Sequence, residues 1–255
     1  MTVSPRGRLL IRNVCMAFDR YLNPAAGPAL PENDLIMHDQ KEWQVSIAHI
    51  RKDYQLGTLS EQHSRSDPIE QFAEWFGAAR RAELPDMNAM TLSTVGKGGR
   101  PSSRTVLIKE FGQAGFTWFT NYTSRKGEEL DANPHAALLF YWPAMERQVE
   151  IEGVVGRVPP AESDAYFLQR PIKSRISAIT SDQSKPVASR AVMEEKYAAD
   201  REAHGDNPAR PDHWGGYLLV PDRIEFWQGG SARLHDRLLY TRNADGLWQR
   251  NRLQP

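Results

Sequence analysis

From Ala89 onward the chain is cut into short strand-like runs by glycine-rich or polar turns, and this punctuation restricts the fold more than any other feature of the sequence. Residues 89–95 read as one strand and 104–109 as the next, joined across Gly96-Lys97-Gly98-Gly99. Gly112-Gln113-Ala114-Gly115 then turns the chain into a strand over 116–121. Further strands follow over 136–141, 147–158, 216–220, 223–227 and 237–242, with Asn243-Ala244-Asp245-Gly246 as the last turn. Strands this close together, joined by turns of a few residues, pair antiparallel, and such a sheet removes its open edges by closing into a barrel. The helical stretches are inserted between strands: 125–132 with Ser124 as N-cap, then 161–169, 172–180 and 189–204. The expected class is mainly β with helices (α+β), an antiparallel barrel. A doubly wound fold is excluded because it needs helices that alternate with its strands.

Upstream of the strands, Asp67 caps a helix that has Pro68 at its first position and Glu70 in a capping-box-like place. Phe72, Trp75, Phe76 and Ala79 then share one face at helical spacing, the pattern of core packing. Residues 47–54 are expected to form a short helix. Residues 1–45 show no sustained periodicity and read as a flexible N-terminal extension, leaving 46–255 as the folded domain. Arg6, Arg8 and Arg12, with no acid among the first eighteen residues, hint at a targeting peptide, but the apolar stretch 9–11 is too short for a secretory signal. A disordered tail, or a start at Met16 or Met37, is the simpler reading.

Lys plus Arg equal Asp plus Glu at 32 each, so no net field draws this protein to nucleic acid or to an anionic membrane. Anion binding must come from local clusters. Cys15 is the single cysteine, which excludes a disulfide within the chain and any multi-thiolate metal site, and fits the reducing cytoplasm. No apolar run approaches a membrane span. There is no Gly-x-Gly-x-x-Gly after a strand, no phosphate-binding P-loop, no His-Glu-x-x-His and no Gly-x-Ser-x-Gly elbow. What remains is a set of basic and hydroxyl clusters suited to small phosphorylated molecules.

Four clusters carry that chemistry. Arg104-Thr105-Val106-Leu107-Ile108-Lys109 places two cations an odd number of positions apart, on opposite faces of a strand, where they serve either two anions or only solvent. Phe119-Thr120-Asn121 followed by Ser124-Arg125-Lys126-Gly127 runs a strand into a helix N-terminus with a hydroxyl and two cations, which favours a phosphate or is an ordinary capped helix. Tyr166, Arg170 and Ser174 are spaced by four, with Pro171 expected to interrupt the helix; a phenol, a guanidinium and a hydroxyl together suit one phosphate, or else form an amphipathic surface with one buried tyrosine, the reading this segment favours when taken alone. Phe226-Trp227-Gln228-Gly229-Gly230-Ser231-Ala232-Arg233-Leu234-His235-Asp236-Arg237 gathers aromatics, glycines, arginines and a histidine into one segment that points to a ligand without naming it.

Together these segments resemble the pyridoxine/pyridoxamine 5′-phosphate oxidase family, over about residues 47–255 and in matching order. The most specific matches are Phe226-Trp227-Gln228-Gly229 with Arg233-Leu234-His235-Asp236-Arg237, then Ser124-Arg125-Lys126, Glu146-Arg147-Gln148-Val149, Gln183-Ser184 and the terminal Arg252-Leu253-Gln254-Pro255. The resemblance implies an FMN-binding split β-barrel that works as a homodimer with FMN at the subunit interface. It implies FMN contacts from Arg104, Thr105, Val106, Leu107, Ile108, Lys109, Phe119, Thr120, Arg125, Lys126, Gln148, Gln183, Ser184, Trp227 and Arg237. Lys109, Tyr166, Arg170 and Ser174 match positions that hold the substrate phosphate, and Arg233, Leu234 and His235 lie beside the pyridine ring, with Arg233 and His235 as the catalytic pair. Arg51 and Tyr54 match a segment that closes over the substrate.

The implied reaction is oxidation of pyridoxamine or pyridoxine 5′-phosphate by oxygen to pyridoxal 5′-phosphate and hydrogen peroxide, in the cytoplasm, with no metal, nucleic acid or membrane partner. Arg175, Ser177 and Leu168-Gln169 depart from the family pattern beside the phosphate site and bear on affinity more than on reaction type. Two competing readings are a related flavin oxidase of another ring, such as a phenazine precursor, and a non-catalytic binder of FMN or vitamin B6 phosphate.

Overall fold

The computed structural model describes residues 35–37 and 43–255, and the chain divides into two compact units, residues 1–55 and 56–255. In the first unit, strands β1 (Leu35–Met37) and β2 (Trp43–Val45) pair antiparallel, Leu35 opposite Val45. Most of the expected extension, with Cys15 and the arginines at 6, 8 and 12, lies outside the described residues. The short helix expected over 47–54 does not form. One turn closes from the Ile50 N–H to the Ile47 carbonyl, and the rest is irregular. So short a helix needs a packed face to survive in water, and Ile47 and Ile50 are 67% and 65% exposed.

The second unit opens with helix α1 (Pro68–Arg81), where the Asp67 carboxylate accepts from the backbone N–H groups of Ile69 and Glu70. Its expected apolar face is buried: Phe72 and Ala79 are inaccessible and Trp75 nearly so. Phe72 meets Phe111, Phe116 and Phe140 edge-on at 4.8–5.1 Å, the favoured geometry for aromatic rings. The chain then builds β3 (Ala89–Val95), β4 (Pro101–Leu107), β5 (Glu110–Gly112), β6 (Gly115–Asn121), helix α2 (Arg125–Ala132), β7 (His135–Trp142) and β8 (Arg147–Arg157). Helices α3 (Pro160–Gln169), α4 (Ile172–Thr180) and α5 (Arg190–His204) follow, then β9 (Trp214–Gln228), β10 (Asp236–Arg242) and β11 (Trp248–Leu253).

Strands β3 to β11 form one antiparallel nine-stranded sheet, curled into a half-barrel, in the order β11-β10-β9-β8-β7-β3-β4, with β6 joined to both β5 and β9. The strands expected at 216–220 and 223–227 are one continuous β9. Pro221 does not end it, because a bulge beside it leaves Asp222 unpaired between the pairs Glu152–Arg223 and Gly153–Pro221, and the ladder to β8 continues past it. The expected strand 104–109 starts earlier, at Pro101, and stops at Leu107; at Ile108 the chain leaves β3, and the Lys109 N–H donates to the Thr117 carbonyl of β6 instead. The odd spacing between Arg104 and Lys109 therefore does not set their faces, since no single strand contains both.

Candidate cofactor and substrate site

Strand β6 runs directly into α2, and the turn between them builds a pocket of donors. The Ser124 side chain is fully buried and accepts from the Gly127 N–H, capping the helix. Lys126, in the first turn, is buried, and its Nζ donates to Gln183 Oε1 at 2.7 Å, Ser124 Oγ at 3.2 Å and Thr120 Oγ1 at 3.3 Å. Burial pushes its pKa down to about 8, helped by the positive charge of Arg104 and opposed by Glu129. Arg104 reaches in from β4, donating to the Leu92 carbonyl at 3.1 Å, Thr94 Oγ1 at 2.6 Å and the Ser102 hydroxyl. Five residues expected to contact FMN, namely Arg104, Thr120, Arg125, Lys126 and Gln183, thus converge from β4, β6, α2 and the loop after α4.

A second cationic group forms where α3 meets α4. Arg170 has extended backbone at the end of α3 and Pro171 separates the two helices, so Tyr166, Arg170 and Ser174 do not share one helical face. The Tyr166 ring stacks on Phe119 at 3.9 Å, and the Arg170 guanidinium lies over Trp214 at 4.5 Å. Burial lowers the pKa of Lys109, and Arg170 lowers it further, which places the two cations within electrostatic reach. Arg170 Nη1 is buried with no hydrogen-bond partner. A buried guanidinium N–H without an acceptor is costly, and an anion beside it would supply one.

The third group lies at the far end of β9. Gln148, Trp227 and Arg237 stand side by side across β8, β9 and β10. Arg237 grips Glu225 with two hydrogen bonds, Nε to Oε1 at 2.7 Å and Nη2 to Oε2 at 3.0 Å. Ala232 and Arg233 both have left-handed backbone (φ 53° and 63°), a conformation that costs a non-glycine residue about 1 kcal/mol or more. The turn is held by the Gly230 N–H donating to His235 Nδ1 at 3.1 Å, so the neutral ring carries its proton on Nε2. His235 lies against Trp227 with ring centres 4.8 Å apart, and Leu234 and His235 line a cleft of about 470 Å³ with Arg252 and the C-terminal residues.

One chain does not bring all the expected residues together. Arg170 stacks on Trp214, the first residue of β9, while Arg233 follows its last, Gln228. At about 3.3 Å per residue the strand between them is about 45 Å long. Thr105 and Leu107 face outward on β4, and Val106 and Ile108 face the core. Ser184 is exposed in the loop after α4 with a left-handed backbone (φ 72°). Arg51 is exposed and Tyr54 half-buried, and both belong to the first unit. Two acids inside the basic groups, Glu129 and Glu225, were not singled out from the sequence. The spacing of Arg125 to Glu129, i to i+4 on a helix, is the signal for the first; only strand pairing reveals the second. Among the described residues no three of His, Cys, Asp and Glu group as a metal site, and no helix is long and apolar enough to cross a membrane.

A curled antiparallel half-barrel with clustered cations at the β6–α2 turn is the architecture of the FMN-binding split barrels. Residues 76–199 match the family described as pyridoxamine 5′-phosphate oxidase, and residues 214–255 match the pyridoxine 5′-phosphate oxidase C-terminal dimerisation region. The chain is 60% identical over 211 residues to a pyridoxine/pyridoxamine 5′-phosphate oxidase of Janthinobacterium sp., covering 83% of this chain and 100% of that one. It is 55% identical to the protein of that name in Cupriavidus metallidurans, over the same shares. Among solved structures, PhzG from Burkholderia lata, in complex with tetrahydrophenazine-1-carboxylic acid, superposes with a TM-score of 0.74 at 30% identity, covering 78% of this chain and 99% of that one. The chain belongs to the pyridoxamine 5′-phosphate oxidase family, is an oxidoreductase, and has FMN as its cofactor. The buried Lys126 and the half-buried Arg104, ringed by hydroxyls, fit the phosphate of that cofactor.

Proposed function

We propose that this enzyme oxidises pyridoxamine 5′-phosphate and pyridoxine 5′-phosphate to pyridoxal 5′-phosphate, serving vitamin B6 supply in the cytoplasm as a homodimer. FMN supplies the two-electron redox chemistry, and oxygen takes up the electrons as hydrogen peroxide. The amine substrate also consumes water and releases ammonia; the alcohol does not. The observation that carries the reading is the second phosphate grip. Lys109, Tyr166 and the unpartnered Arg170 Nη1 gather apart from the Lys126 pocket, so the flavin and the substrate each have their own anion site. Ser174, in the first turn of α4, adds a hydroxyl to that grip. Arg233 and His235, with Leu234 between them, orient the pyridine ring from the turn after β9. Because Arg170 and Arg233 stand at opposite ends of β9, one subunit grips the substrate phosphate and the other presents the ring-orienting pair. The matched C-terminal dimerisation region supports this arrangement.

The similarity to PhzG favours one rival, oxidation of a phenazine precursor, whose carboxylate needs no phosphate grip. Mixing the purified flavoprotein anaerobically with each substrate decides between them. Pyridoxamine 5′-phosphate is expected to bleach the yellow flavin band, and admitted oxygen to restore it with release of hydrogen peroxide. Bleaching only by a reduced phenazine carboxylate, or by no substrate, overturns the proposal.

A further inference from the structure

We propose that Glu129 is the positioning residue of the Lys126 pocket: its carboxylate holds Arg104 and Arg125, which come from two different elements, in the arrangement that grips the flavin phosphate. The inference rests on the reading of that pocket as the phosphate site and adds a residue that neither the sequence motifs nor the family match assigns. Glu129 is buried on the inner side of α2. Its Oε2 accepts from Thr94 Oγ1 at 2.5 Å, Ser102 Oγ at 2.6 Å and Arg104 Nη2 at 3.0 Å, and its Oε1 accepts from Arg125 Nε at 2.9 Å. Four donors from β3, β4 and α2 thus converge on one carboxylate. The turn between β3 and β4 closes over it as well, since a Cβ on Gly96 would lie 3.3 Å from Glu129 Cγ.

This arrangement solves a problem that the cations create. Arg104, Arg125 and Lys126 repel one another when no anion is bound, and the two arginines are long enough to swing into solvent. A carboxylate between the guanidinium groups holds both in place before the ligand arrives. It also reduces three positive charges to a net two, the complement of a phosphate monoester dianion. Preorganised donors lose less freedom on binding, so the benefit appears as phosphate affinity.

The test is titration of the full-length, flavin-stripped protein with FMN and with riboflavin, which lacks the phosphate, followed by quenching of flavin fluorescence. Glu129→Gln is expected to raise the Kd for FMN about tenfold while the Kd for riboflavin moves less than about twofold, the scale of losing one charge-assisted contact. Glu129→Asp keeps the charge but withdraws it by one methylene, and it is also expected to weaken FMN selectively. It serves as the second variant should the first fail to fold. Tighter or unchanged FMN binding in both variants overturns the proposal, because the carboxylate then only opposes the phosphate or ignores it. Equal weakening of both flavins overturns it too, since that is a general structural effect. Lys126→Met separates the two readings. If it leaves the ratio of FMN to riboflavin affinity unchanged, the pocket is not the phosphate site and both readings fall. If it collapses the ratio and the Glu129 variants do not, only the role of Glu129 falls.

Discussion

Lys126 is charged at neutral pH although burial works against it, and its pKa near 8 makes the pocket sensitive to mild alkali. A phosphate bound beside Nζ favours the protonated form, so binding above pH 8 requires the lysine to regain a proton. FMN affinity is therefore expected to be flat from pH 7 to about 8, where the phosphate is already a dianion, and then to fall by up to about tenfold per pH unit. Riboflavin affinity stays level over the same range, and Lys126→Met removes the slope. Fluorescence titrations from pH 7 to 9.5 check this, and an FMN affinity that does not change across pH 8 refutes it. The stability linkage has its own sign. The lysine's folded pKa lies below its ordinary 10.5, so its penalty is present below about 8 and is relieved as pH rises toward 10.5. Glu129 behaves in the opposite sense. Burial would raise its pKa, but hydrogen bonds from Ser102, Thr94, Arg125 and Arg104 together outweigh burial and hold it down to about 2, so its contribution is present above 4.5 and is lost as pH falls toward 2.

Helix α2 can present Lys126 only because its first turn lies against the end of β6. A Cβ added to Gly127 would lie 1.9 Å from the Tyr122 carbonyl oxygen, a clash with backbone that no side-chain rotation relieves. Gly127→Ala is expected to push α2 off the strand, destabilise the fold by about 1–3 kcal/mol and abolish FMN retention; thermal unfolding and the flavin content of the purified protein measure both. Wild-type flavin content in that variant shows that the helix can shift without losing the site. Elements whose residues alternate or repeat cleanly, such as β3, β7 and α1, were legible in the sequence because each buries one face on the core. Strand β11 was not legible. Trp248-Gln249-Arg250-Asn251-Arg252-Leu253 is polar and lies at the sheet edge, held by its ladder to β10 and by Arg252 pairing with Glu61 and Asp236. The unity of β9 was hidden by Pro221, whose place in a strand depends on the adjacent bulge at Asp222. The donor pocket was legible only in part. Ser124-Arg125-Lys126 announces an anion site locally, but the contact between Lys126 and Gln183 spans 57 positions and needs the folded sheet.

At the scale of the molecule, the separation of Arg170 from Arg233 along β9 decides what one copy of the chain can do. A strand of about 45 Å is several times longer than a pyridine phosphate, and the sheet also sets β4 and β10 five strands apart, about 24 Å along its surface. The proposed homodimer resolves this if its two-fold axis sets the β9–β10 end of one copy against the α3–α4 end of the other, twice. Exposed Leu107 and Tyr141 on the sheet and Leu234 beside Arg233 are the kind of apolar surface such an interface covers. The arrangement has a consequence that a site within one chain does not share. Arg170→Met, which keeps the stacked stem but removes the phosphate contact, and Arg233→Leu, which keeps the left-handed backbone cost but removes the guanidinium, each damage both sites of their own homodimer. Co-expressed, they form mixed dimers in which one site collects both lesions and the other collects neither. With random pairing, half of the dimers are mixed and half of their sites are intact, so turnover at low substrate is expected to recover to about a quarter of wild type. Were both arginines drawn from the same chain, every site in the mixture would carry one lesion, and activity would stay at the level of the separate variants.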